Sequence, residues 1–299
     1  MGRPPLPAAH ARTYGPLVRI LFATDGTAGS RRALDLLADL PLTASDHVTV
    51  VSVAPPRELS GISRDLVADP RALRLASASA REAVAAASWR LGLLGVPTSE
   101  VIETGATVEA IVARSLHEAP QLIVIGSRGR GLWRGTLLGS TARRLARCSP
   151  VPVLVVRGRR AAPERVLAVV DDSPGSLPAI QLLARLPLPT RSEIVVLHLG
   201  RGPAAERLER PIEQARMFLS RSHRHLFADA ADVTEQIGSQ ARALGADLVV
   251  LGLRGQSDSV PPAPSLAERV LADAHWSVLV ATTSVAAARD ALRRMAVPV

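Results

Sequence analysis

Lysine is absent from this chain of 299 residues, so all 36 of its basic residues are arginine. A P-loop needs a lysine after its second glycine to reach the phosphates, so that class of site is excluded. Aromatic side chains make up only 2% of the sequence. The cores must be built from Leu, Val, Ile and Ala, and the stacking platforms that bind single-stranded nucleic acid are scarce. The one cysteine, Cys148, precludes an intrachain disulfide. No apolar run reaches transmembrane length. The opening Met-Gly-Arg-Pro-Pro-Leu-Pro-Ala-Ala-His lacks the continuous apolar segment of a secretory leader. These absences together lead us to expect a cytoplasmic protein without a membrane association.

What remains is globular in composition, with 47% hydrophobic and 21% charged residues. The length suits two domains, each able to bury a core. A net charge of +9 raises the question of nucleic acid. The arginines are scattered, however, and cluster only at Arg157/Arg159/Arg160 and in Arg-Ser-His-Arg-His (221–225). Specific nucleic-acid binding is therefore not expected.

The chain is organised around Gly126-Ser-Arg128-Gly129-Arg-Gly-Leu-Trp-Arg-Gly-Thr-Leu-Leu-Gly139-Ser140-Thr141. Gln-Leu-Ile-Val-Ile (121–125) before it has the β-branched apolar character of a buried parallel strand. Ala-Arg-Arg-Leu-Ala-Arg-Cys after it has helical spacing, opened by Ser140 or Thr141 as a cap. Glycines permit tight turns and close backbone approach, and a helix N-terminus presents unpaired N–H groups that suit a phosphate. Arg128, Arg130 and Arg134 add positive charge. The dinucleotide fingerprint G-x-G-x-x-G is absent. The spacing present is G-x2-G-x9-G-S, from Gly126, Gly129, Gly139 and Ser140.

This loop, with Ser-Pro-Val-Pro-Val-Leu-Val-Val (149–156) after it, resembles the ATP-binding branch of the universal stress protein family. The opening Ile-Leu-Phe-Ala-Thr-Asp25-Gly-Thr-Ala-Gly-Ser30 fits the same family's first strand and helix. The resemblance implies that Asp25 contacts the adenosine part of ATP and that Val53 offers its backbone to the adenine. It also implies that Gly126, Gly129, Gly139 and Ser140 hold the phosphates, with Arg128 and Thr141 beside them and with or without Mg2+. Read from the residues alone, the competing roles are a turn cap for Asp25 and plain core for Val53.

The pattern occurs twice. Strands at 17–24 and 48–53 are followed by a long helix over 71–94, a strand near 101–103, a helix over 108–118, and the loop. After the polar joint Arg157–Glu164, Arg-Val-Leu-Ala-Val-Val-Asp171 restarts the order, 194–199 mirrors 48–53, and Leu248–Gly252 mirrors Leu122–Gly126. We expect an α/β protein of two tandem doubly wound parallel-sheet domains, Rossmann-like and similar to the adenine-nucleotide α-hydrolase fold. The ranges are a tail at 1–16, domains at 17–157 and 164–283, and an extension at 284–299. In the second copy Pro264 replaces the third glycine, Pro261-Pro262 stiffen the approach and Asp258 adds negative charge, so that loop is expected to be degenerate.

The expected function is that of a regulatory, non-catalytic ATP-binding protein of stress response, with one adenine nucleotide per chain in the first domain. The resemblance further implies pairing of the domains through Val153–Val156 and Val278–Val280, and a homodimer of whole chains. An ATP-hydrolysing or adenylate-forming enzyme is one alternative, with weak ATPase activity left open, and an arginine-driven nucleic-acid-associated protein is the other. Asp171-Asp172 are read as solvated turn residues, Cys148 as a packing thiol, and His223 and His225 as part of an exposed arginine-rich run.

Overall fold

The structure, a computed structural model, describes residues 18–54, 70–127, 138–158, 162–171, 176–200, 223–229, 232–252 and 266–281. The expected tail at 1–16 and extension at 284–299 lie outside them.

Strands β1 (Arg19–Ala23), β2 (His47–Ala54), β3 (Thr98–Thr104), β4 (Leu122–Gly126) and β5 (Val153–Val156) form the first half. Helices α1 (Ala28–Asp39), α2 (Pro70–Gly92), α3 (Thr107–Glu118) and α4 (Ser140–Cys148) connect them. The second half contains β6 (Arg165–Val170), α5 (Ser176–Arg185), β7 (Glu193–Gly200), β8 (His223–Asp229), α6 (Val233–Leu244), β9 (Leu248–Gly252), α7 (Leu266–Asp273) and β10 (Ser277–Ala281). The sheet order is β3-β2-β1-β4-β5-β10-β9-β6-β7-β8. Each half is parallel throughout.

The aliphatic runs make strands because both of their faces are buried. In β1, Ile20 and Phe22 enter one core while Leu21 and Ala23 enter the other. The first core is covered by α1, α2 and α5, the second by α3, α4, α6 and α7. Continuous apolar runs, rather than alternating ones, are what a sheet between two helical layers requires.

The halves join by antiparallel pairing of β5 with β10: Val153 opposite Val280, Leu154 opposite Leu279, Val155 opposite Val278. This is the seam expected from the two terminal strands. Beside it the polar joint behaves differently from a solvated linker. Arg157 is buried. Its guanidinium donates to the Ala274 carbonyl just past α7, and its N–H donates to Ser277 Oγ at 3.1 Å. Gly158 follows with φ +70°, where a Cβ would lie 2.9 Å from the His275 carbonyl oxygen.

Two expectations are corrected. The third strand is longer than its apolar centre, running Thr98–Thr104, because β2 supplies a partner for all seven residues. Its polar start reflects its position at the sheet edge. The run at 221–225 is not simply exposed, because His223–Asp229 is the other edge strand. His225 is half-buried there, and its Nδ1 lies 2.7 Å from Nε2 of fully buried His198. Pairing with β7 imposes this; local charge cannot reveal it.

Candidate functional site

In the first half the chain moves from β1 outward to β2 and β3, then returns past β1 to β4. Helix α1 leaves on one face and α4 on the other. The connections therefore diverge at the β1–β4 seam, and the carboxyl ends of these strands frame a crevice of the kind that holds ligands in open α/β sheets.

Asp25 stands at the end of β1. Its carboxylate accepts hydrogen bonds from the Thr27 N–H at 3.0 Å and the Thr27 hydroxyl at 2.6 Å. Thr27 in turn is the N-cap of α1 and accepts from Ser30 N–H. Gly26 between them has φ +75°, a left-handed conformation that glycine adopts without steric cost. Arg31, one turn into the helix, donates to the Gly26 carbonyl at 2.6 Å and so brings a cation to the crevice.

Val53 lies on β2, its side chain packed on the second core. The Thr24 N–H donates to Val51 O, and the Gly105 N–H donates to Ala54 O on the opposite side. Backbone groups alternate in direction along a parallel strand, so the main chain of Val53, like that of Val51, faces β1. The register with β1 stops at Ala23 opposite Val51. The Val53 N–H and C=O thus face the seam just past the end of β1.

Gly126 closes β4 against the first turn of α1. A Cβ there would stand 2.6 Å from both the Gly29 oxygen and the Ser30 nitrogen. Ser127 is buried, its N–H donating to Val156 O at 3.0 Å and its carbonyl accepting from Gly139 N–H at 2.7 Å. Ser127 and Gly139, on either side of residues 128–137, are therefore held together. Gly129, expected as a phosphate ligand, and Arg128, expected beside it, lie outside the described residues, as do Arg130, Trp133 and Arg134.

Gly139, rather than Ser140 or Thr141 as expected, is the N-cap of α4 (φ −70°, ψ 152°), and no side chain caps the helix from that position. Arg143 N–H makes the first intrahelical bond, to Gly139 O at 3.1 Å. The N–H groups of Ser140, Thr141 and Ala142 precede that ladder, as the first donors of any helix do. Ser140 is exposed and Thr141 half-buried at this rim. The donors fit a phosphate group, since a helix start without a side-chain cap leaves its N–H groups and positive dipole end to a ligand. Around the rim, Arg144 of α4 pairs with Glu109 of α3. A separate shallow groove of about 510 Å3, lined by Glu103, Thr104, Ala106 and Arg114 among others, runs beside the edge strand and does not include Asp25, Val53 or Gly126.

The structure thus brings Asp25, Val53, Gly126, Gly139, Ser140 and Thr141 to one end of the sheet. Sequence reasoning missed Ser127 and Arg31 and gave Gly29 no role. Nothing local marked Ser127, or Gly29, whose contact with Gly126 spans almost a hundred positions of sequence. In the second half, Asp171 occupies the place of Asp25 but accepts from the Ser176 hydroxyl at 2.9 Å. The second loop, with Asp258, Pro261, Pro262 and Pro264, lies outside the described residues.

A tandem, doubly wound α/β sheet with a crevice at the switch point of its first half defines the class. Residues 17–157, just under half of the chain, match the model of the universal stress protein family, and this first half belongs to that family. It is similar to the universal stress protein Rv2005c of Mycobacterium tuberculosis H37Rv, with 31% identity over 142 residues, 48% of this chain and 42% of that protein. The alignment thus spans less than half the length of that relative. Among solved structures, a universal stress protein from Archaeoglobus fulgidus superposes with a TM-score of 0.68 at 18% identity, covering 89% of this chain and 96% of that one. A putative universal stress protein from Pseudomonas aeruginosa UCBPP-PA14 gives 0.60 at 20%, covering 93% and 98%. At these identities the structural likeness concerns the fold. Among the described residues, no helix is long and apolar enough to cross a membrane.

Proposed function

We propose that the first half of this chain binds one ATP in the β1–β4 crevice and acts as a regulatory nucleotide-dependent protein, with no chemical turnover as its role. The observation that carries this reading is the base of the loop. Gly139 N–H is tied to Ser127 O, and α4 starts directly above it without a side-chain cap. Triphosphate oxygens take the N–H groups of Ser140 and Thr141, with Arg128 and Gly129 from the intervening loop, while the Val53 main chain and Asp25 receive the adenosine end. Membership in the family supports an adenine nucleotide as the class of ligand. The Asp25 carboxylate accepts two hydrogen bonds from Thr27, which suits a positioning group better than a general base. Nucleotide binding then acts by favouring one conformation or partner over another.

Isothermal calorimetry with ATP tests the site. Gly139 sits at a φ that any residue adopts, so Gly139→Val alters the approach of the phosphates and costs the fold at most about 1 kcal/mol as a poorer cap. ATP affinity should fall by at least about tenfold in a protein that still unfolds cooperatively. Unchanged affinity removes α4 from the site. Equilibrium dialysis should saturate near one nucleotide per chain; saturation near two means that the second loop binds as well. Single-turnover assays showing rapid hydrolysis would replace the regulatory reading by an enzymatic one.

A further inference from the structure

A short run of buried groups joins the phosphate rim of the first half to the end of α7 in the second. At the rim the Gly139 N–H donates to Ser127 O at 2.7 Å, and the Ser127 N–H donates to Val156 O at 3.0 Å. Arg157 is the next residue. Its guanidinium donates to the Ala274 carbonyl, and its N–H donates to Ser277 Oγ at 3.1 Å. The Ser277 hydroxyl donates back to Arg157 O at 3.1 Å.

Strand direction brings these groups together. Strand β5 runs parallel to β4 with Val156 opposite Gly126, so Arg157 follows at the carboxyl end of the first half, the end that carries the crevice. Strand β10 runs antiparallel to β5, so its amino end arrives at that same place, led by the turn from Ala274 to Trp276. The Ala274 N–H donates to Val270 O at 2.9 Å. Ala274 therefore closes α7, and the guanidinium sets a positive charge at the negative end of that helix dipole. Ser127, Val156, Arg157 and Ser277 are all buried. Water cannot replace a bond that is released there, so a displacement at one link is taken up by the next.

We propose that the second half regulates nucleotide binding in the first, with Arg157 as the positioning residue that ties the α7–β10 turn to the base of the phosphate rim. The inference rests on the reading of the β1–β4 crevice as the ATP site. Phosphate oxygens that take the N–H groups at the start of α4 hold Gly139 in place. Gly139 then fixes Ser127 and, through Val156, the residue that grips α7. In the other direction, a turn held by Arg157 keeps the Ser127 carbonyl where it positions Gly139 before any ligand arrives. Less ordering is then left for the ligand to impose. Such a coupling is reciprocal: ATP favours the packed turn as much as the packed turn favours ATP. The second half, in which Pro264 replaces the third glycine, thereby serves the first without holding a phosphate itself.

Calorimetry with ATP on the full chain tests the proposal. Arg157→Met and Ser277→Ala each break a link to the second half and should lower ATP affinity about fivefold or more. Ile237→Val, on the buried face of α6, loosens the second half away from these links and should leave affinity unchanged. A spectroscopic arm needs no broken link. In a Trp89→Phe/Trp133→Phe background Trp276 is the one remaining tryptophan, and its emission should change with ATP at the midpoint that calorimetry gives. Arg157→Met should abolish that change. Unchanged affinity in both link variants overturns the proposal, and so does a loss in Ile237→Val as large as in Arg157→Met. Trp276 emission that ignores bound ATP, or that still responds in Arg157→Met, overturns it as well. A wild type that takes no ATP at all instead removes the reading of the crevice on which the coupling rests.

Discussion

A Cβ on Gly126 would stand 2.6 Å from the carbonyl oxygen of Gly29, a backbone atom in the first turn of α1 that cannot swing aside. The glycine that ends β4 thus lets a helix lie on the strand, whatever it does for a ligand. Gly126→Ala should lower stability by about 1–3 kcal/mol, the usual cost of overpacking, and weaken ATP binding in parallel because the crevice is framed by the same contact. Urea unfolding of the nucleotide-free variant checks it. An unchanged midpoint would mean that α1 shifts freely.

Asp25 should matter before any ligand arrives. Asp25→Ala removes the acceptor for two hydrogen bonds from Thr27, at a cost of about 1–2 kcal/mol, visible as a lower thermal midpoint without nucleotide. If the apo protein keeps its stability while ATP affinity falls, the carboxylate serves the ligand alone.

The seam between the halves should be sensitive at Arg157. Arg157→Met keeps the length of the side chain but removes the donor to the Ala274 carbonyl, a loss of about 1–3 kcal/mol for a buried partner left unsatisfied. Gly158→Ala should cost about 1 kcal/mol or more, since φ +70° disfavours any side chain there. Both variants should accelerate amide exchange at Val278–Val280 on β10 ahead of exchange on β1. Equal acceleration everywhere would show that the clamp is not local.

Cys148 at the end of α4 is buried, and burial pushes its thiol pKa up, against the smaller opposing pull of Arg144. A group whose folded pKa is raised contributes stability that is fully present below its unfolded value, near 8.5. The contribution is lost as pH rises through the folded value. Stability should therefore fall in alkaline solution in wild type and fall less in Cys148→Ala. A thiol reagent at pH 8 should react only as fast as the protein opens; immediate reaction of the native protein would contradict this.

Several features could be derived from the sequence alone. The aliphatic runs around residues 20, 50, 123, 154, 167, 196, 249 and 279 read as strands covered on both faces, because they are short and mostly β-branched and apolar. Their repetition fixed two copies of one α/β unit, and the glycine spacing from Gly126 to Gly139 located the crevice. The tertiary structure decided what depends on neighbours distant in sequence. Gly126 needs to be glycine because α1 crosses it, and the partner atoms lie almost a hundred positions earlier. Arg157 looked like linker and is a buried clamp, because the antiparallel seam carries the end of α7 to it. His225 looked solvated and packs on His198, because β8 completes the sheet edge. Periodicity tells which side chains share a face; only the packed fold tells what, if anything, that face meets.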